Sequence, residues 1–173
     1  MVRGGGSFLV LLGLGLMLGV ISATSSAINT KPFIAGAILG LISIPIVRRT
    51  WWLGPPSRKQ VIALAMAIGL ELLLFAMLAN FLHTDTAERD RWLWSLCIVG
   101  IHFIPMYWTF GPKIFALGVA CVGIAVVGLM TPQLSFAVVG GIDAALKVGC
   151  GVWMFLTPAY PQPNSSLEQS RDT

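Results

Sequence analysis

Six apolar stretches, separated by short polar or Gly-Pro breaks, account for most of the chain: residues 7–23, 33–47, 61–82, 91–108, 114–130 and 134–156. Helical starts are marked by residues suited to them. Pro32 follows Lys31 just before the second stretch, Gly111-Pro112 precedes the fifth, and Thr131-Pro132 opens the sixth, which Thr157-Pro158 closes. Proline fits the first helical turn because the N–H it lacks has no partner there anyway. Ser57 and Gln60 have capping-box spacing ahead of the third stretch. Asp85 and Glu88 are placed to cap an amphipathic lead-in to the fourth. Several stretches lie near the lower limit for crossing a bilayer, about 17 residues. The second is short and carries Pro45. The pattern predicts an all-α, polytopic transmembrane helix bundle of about six spans. It forms a single domain over residues 1–157, followed by a Pro-, Ser- and Gln-rich tail, 158–173, expected to be disordered and cytoplasmic.

Composition strengthens this picture. The 173 residues are 56% hydrophobic and only 10% charged, against about 25% charged in a soluble domain. The mean hydropathy is +0.84. A soluble core of this length could not hide so much apolar surface. The net charge of +4 is spread over loops, and no basic stripe interleaved with aromatics offers a nucleic-acid footprint. Membrane lipids are the expected partners. The three cysteines, Cys97, Cys121 and Cys150, lie inside apolar stretches without C-x-x-C spacing, and no two-histidine spacing suits zinc. No metal or cofactor is expected.

Lys and Arg set the orientation. Arg48, Arg49, Arg58 and Lys59 cluster in one loop, which should be cytoplasmic. Six spans then put both termini inside. The inside sum, with Arg3, Lys113 and Arg171, is seven, against three outside, Lys31, Arg89 and Arg91. The expectation is a multi-pass cell-membrane protein. Trp51, Trp52, Trp92, Trp94, Tyr107 and Trp108 fall at segment ends, where aromatic belts sit. One competing reading takes Arg3, the first apolar run and Ser25-x-Ala27 as a cleavable secretory signal, which would leave five spans. An internal echo, Ile44-Pro45…Trp51-Trp52-Leu53-Gly54-Pro55 against Ile104-Pro105…Trp108-Thr109-Phe110-Gly111-Pro112, would suit three repeated helical hairpins.

Small residues recur at helical spacing: Gly15-x-x-x-Gly19, Gly36-x-x-x-Gly40, Gly118, Gly123 and Gly128, and Gly141, Ala145 and Gly149. Glycine lets backbones approach closely. The choice is between tight packing within one chain and a homo-oligomeric seam.

Four polar residues lie deep in the apolar stretches: Glu71, His102, Asp143 and Lys147. Insertion scales charge roughly +2.5 to +3.5 kcal/mol for an ionised group at a helix centre, so these call for pairing, a buried site, or both. Asp143 and Lys147, at i and i+4 with the acid first, can neutralise each other on one helix face. Alternatively they line a polar cavity, where desolvation would favour proton exchange. Glu71 has Ala67 and Phe75 at i±4. It must be protonated or meet a partner from another helix, Lys147 or His102. His102 precedes Pro105, whose ring frees a backbone carbonyl near Ile101 and whose kink suits a cavity edge. Asn80 and His83 are boundary residues.

The stretch Gly100-Ile101-His102-Phe103-Ile104-Pro105, with Gly141-Ile142-Asp143…Lys147…Gly151-Val152-Trp153 and the N-terminal Arg3-Gly4-Gly5-Gly6-Ser7-Phe8, resembles uncharacterised small bacterial multi-pass membrane proteins of the domain-of-unknown-function kind. The resemblance implies fold and location and carries no activity. Three functional readings stand beside it. The first is a structural or accessory membrane protein with a buried polar cluster. The second is a small proton-linked transporter with Glu71, His102, Asp143 and Lys147 at its midplane. The third is a membrane-embedded enzyme acting on a lipid or isoprenoid, with Glu71 or Asp143 as acid and His102 as base.

Overall fold

A computed structural model describes residues 2–23, 27–50, 57–81 and 86–156. Among the described residues every regular element is a helix: α1 Val2–Ile21, α2 Thr30–Thr50, α3 Arg58–Phe81, α4 Glu88–His102, α5 Tyr107–Phe110, α6 Pro112–Met130 and α7 Phe136–Leu156. Five of these, α1, α2, α3, α6 and α7, are long and apolar enough to cross a membrane.

The second stretch is longer than its apolar run, 21 residues, with Pro45 accommodated inside the helix. The capping box at the start of α3 is formed: the Gln60 N–H donates to Ser57 Oγ at 3.3 Å, and the Ser57 N–H donates to Gln60 Oε1 at 3.1 Å. The fourth stretch departs from expectation. It is not one helix over 91–108 but the 15-residue α4, a tight turn at 103–106, and the four-residue α5. Pro105 has no N–H to give, and the Ile101 carbonyl accepts from Ile104 N–H instead, at 3.0 Å. The i→i+3 pattern tightens the backbone there. Four ionic residues, Glu88 to Arg91, open α4, and 15 residues rise only about 22 Å, short of the roughly 30 Å hydrocarbon layer. Ala87 stands at the N-cap and offers no side-chain bond. Asp85, His83, Trp51, Trp52, Thr157-Pro158 and the tail lie outside the described residues. The two echo stretches fold differently where described, since Ile44-Pro45 stays helical and Ile104-Pro105 lies in the turn. Gly111, with φ 83°, adopts the backbone that separates α5 from α6.

The helices alternate up and down. At one end Trp92 packs edge-on to Phe33 and tilted against Phe136. At the other, Phe110 lies over Gly5. The most extensive packing is of α1 on α7 and α2, followed by α4 on α6. So α1 is central, with Leu9 and Leu16 buried. The glycine patterns of the first two helices meet inside the chain: a Cβ at Gly15 would stand 2.8 Å from Gly36 Cα, and one at Gly36 would stand 2.6 Å from the Leu11 carbonyl. By contrast, Gly69, Gly123, Gly141 and Gly149 face open space.

Arg89, a loop charge by its place in the sequence, fastens the α6–α7 connection. Its Nη2 donates to the carbonyls of Gly128 at 2.6 Å and Thr131 at 3.1 Å, its Nε to that of Leu134 at 3.0 Å, and its Nη1 meets Asp90 at 2.6 Å. A cation on the last carbonyls of a helix is favoured by both hydrogen bonding and the helix dipole. Arg89→Ala is expected to destabilise the protein by about 1–3 kcal/mol. Arg89→Lys should restore little, because an ammonium cannot span three carbonyls as a planar fork does. Thermal unfolding in micelles checks this, and full rescue by lysine would refute the forked clamp.

Candidate functional site

Asp143 and Lys147 lie on the face of α7 turned into the bundle, 0% and 1% exposed. The Lys147 ammonium closes onto Asp143 Oδ2. It also lies 3.8 Å from Cys121 Sγ on α6. Asp143 Oδ1 has no hydrogen-bond partner among the described residues. The helical register brings the pair together. The third member, Cys121, arrives through helix packing, and no sequence spacing signalled it.

Glu71 goes elsewhere. Its Oε2 lies 3.8 Å from His102 Nδ1, and among the described residues it forms no ion pair with Lys147. The four sequence candidates therefore divide into two couples, one within α7 and one between α3 and the end of α4. His102 is buried and its Nδ1 has no hydrogen-bond partner among the described residues. Glu71 is partly exposed.

The second couple sits at α3, a helix of which little is buried. Helix α3 rests on its neighbours through the small, buried Ala63 and Ala67. Two apolar cavities flank that contact. One, of about 310 Å³, has a buried floor that includes Leu9, Phe103, Ile114 and Met154. His102 is the titratable group on its wall. The other, of about 320 Å³, lies between α3 and α4 toward the opposite end, with Leu74, Trp94 and Ile101 on its walls. Glu71 and His102 meet between the two. Neither Asp143 nor Lys147 lines either cavity. No group of three or more His, Cys, Asp or Glu side chains able to hold a metal occurs among the described residues.

An all-helical bundle with five spanning-length apolar helices and charges buried in its interior is the architecture of an integral membrane protein. The chain belongs to DUF6609, a family of unknown function, whose model matches residues 2–163. No curated protein and no solved structure matches it.

Proposed function

We propose that this is a structural or accessory membrane protein in which Asp143 and Lys147 neutralise each other inside α7. The observation that supports it is the closure of the pair upon itself, in full burial, away from both cavities. A transport site at the midplane would need a polar cavity shared by several of the four candidates, whereas of the two cavities beside α3 one is lined by His102 alone of the four and the other by none. An acid–base enzyme would need its acid on the cavity wall, and the wall carries the imidazole without the carboxylate. We place the protein in the cell membrane with both termini cytoplasmic, on the Lys and Arg distribution of the loops, with α4, the turn at 103–106 and α5 together making the sixth crossing.

The test is reconstitution into liposomes holding a pH-sensitive dye. Under an imposed pH gradient, vesicles with the protein should leak protons no faster than empty ones. A protein-dependent flux that Asp143→Asn or Glu71→Gln abolishes would overturn the accessory reading in favour of transport.

A further inference from the structure

Helices α2 and α3 make no contact with each other among the described residues, although each is long and apolar enough to span. The cavity bearing His102 opens between them. Its outer wall is formed by Leu41 and Ile44 of α2 and by Val61, Leu64 and Ile68 of α3. Leu41, Val61 and Ile68 are exposed on the outside of the bundle, whereas the floor is buried. The opening therefore faces sideways, into the surrounding hydrocarbon. Leaving an apolar space of this size empty forfeits the dispersion contacts of every group that lines it. Its volume is at the lower end of the range of ligand pockets, about 300–1,000 Å³.

One end of the opening is basic. Arg49 stands in the last turn of α2, five residues beyond Ile44, and Arg58 and Lys59 stand in the first turn of α3, just before Val61. All three are exposed. At 1.5 Å per residue these cations lie within roughly 3–8 Å, along the helix axes, of the cavity-lining residues. Along α3 the cavity runs inward from this rim, past Val61, Leu64 and Ile68, toward Glu71 and His102.

We infer that this opening is a binding site for one anionic phospholipid. Its phosphate lies at Arg58, which shares the slot face of α3 with Val61, and Arg49 and Lys59 add positive field at the same depth. One acyl chain lies in the slot between α2 and α3, ending below His102. The two halves of such a molecule match the two halves of the site: a hydrocarbon chain against an apolar slot continuous with the bilayer, and a negative headgroup against a basic rim at membrane-interface depth. The inference does not depend on the accessory reading.

The experiment is native mass spectrometry of the full chain released from mild detergent, after equilibration with phosphatidylglycerol or with phosphatidylcholine bearing the same acyl chains. The wild type should retain a single phosphatidylglycerol, in preference to phosphatidylcholine by about tenfold or more. Leu64→Trp and Ile44→Trp, which fill the slot from opposite walls, should each lose the bound lipid. The triple variant Arg49→Gln, Arg58→Gln, Lys59→Gln lies outside the packed interior and should lose only the preference for the anionic headgroup. Equal retention of both lipids by the wild type would overturn the inference. So would phosphatidylglycerol binding that survives both tryptophans, since the basic rim alone would then explain it. A dimer in place of a lipid adduct would assign the slot to a second copy of the chain and refute the proposal as well.

Discussion

Asp143→Leu alone, or Lys147→Met alone, is expected to destabilise the protein by about 3–5 kcal/mol, whereas the double replacement should leave its stability within about 1 kcal/mol of the wild type or raise it. Each single change leaves one ion buried without its counter-charge. Lys147 lies eleven residues from the start of α7 and nine from its end, about 14–17 Å along the axis, too deep for the side chain to reach water. The neighbouring Cys121 thiol, 3.8 Å away, is a weak partner and cannot replace a carboxylate. Removing both ions also removes both desolvation penalties and leaves apolar groups of similar volume in a helix that already packs closely. Unfolding in mixed micelles by added denaturing detergent gives the three free energies. Equal losses in the singles and the double would show that the pair is not the closed, self-compensating unit its geometry indicates.

The second large effect concerns the seam between α1 and α7. At Gly6 an added Cβ would stand 2.6 Å from the Gly151 carbonyl and 2.9 Å from Phe155 N, and at Gly151 it would stand 2.7 Å from the Gly6 carbonyl and 2.8 Å from Val10 N. These obstacles are backbone, so no side-chain rotation relieves them, and the two helix axes must part. Gly6→Ala or Gly151→Ala should therefore cost about 1–3 kcal/mol, the usual range of overpacking effects, and leucine more. Separation also weakens the Cα–H···O contacts that such close approach permits. The same substitution on open glycines should act in the opposite sense. Gly123→Ala and Gly149→Ala meet nothing within 4 Å, and alanine favours a helix over glycine by up to about 1 kcal/mol. Melting temperatures of the four variants decide the matter. Similar losses at all four positions would show that glycine acts here through something other than close approach.

How much of this was legible beforehand varies by residue. The capping box of Ser57 and Gln60 was readable because both of its bonds close within four residues. So was the pairing of Asp143 with Lys147, since helical register alone places them on one face. The break after His102 was half-legible: Pro105 announced a kink, but reading the stretch as one helix overlooked how the ionic start of α4 shortens its apolar part. In the sequence Arg89 reads as a loop charge because its three acceptors lie about 40 residues away, at 128, 131 and 134. The sequence leaves Glu71 either protonated or beside Lys147 or His102, and packing brings the histidine within 3.8 Å without a hydrogen bond.

From the sequence alone came the all-helical membrane architecture and the contacts made within one or two helical turns. Those follow from backbone hydrogen bonding and the hydrocarbon environment, both of which act locally. Only the tertiary structure decided which helix faces meet. It set Gly15 against Gly36 and Gly6 against Gly151 while leaving Gly141 and Gly149 open, brought Cys121 to Lys147, and parted α2 from α3 around an apolar slot. The reason is the solvent. In a bilayer both the lipid-facing and the protein-facing sides of a helix are apolar, so hydrophobic pattern does not distinguish them. The choice falls to shape complementarity between segments far apart in the chain.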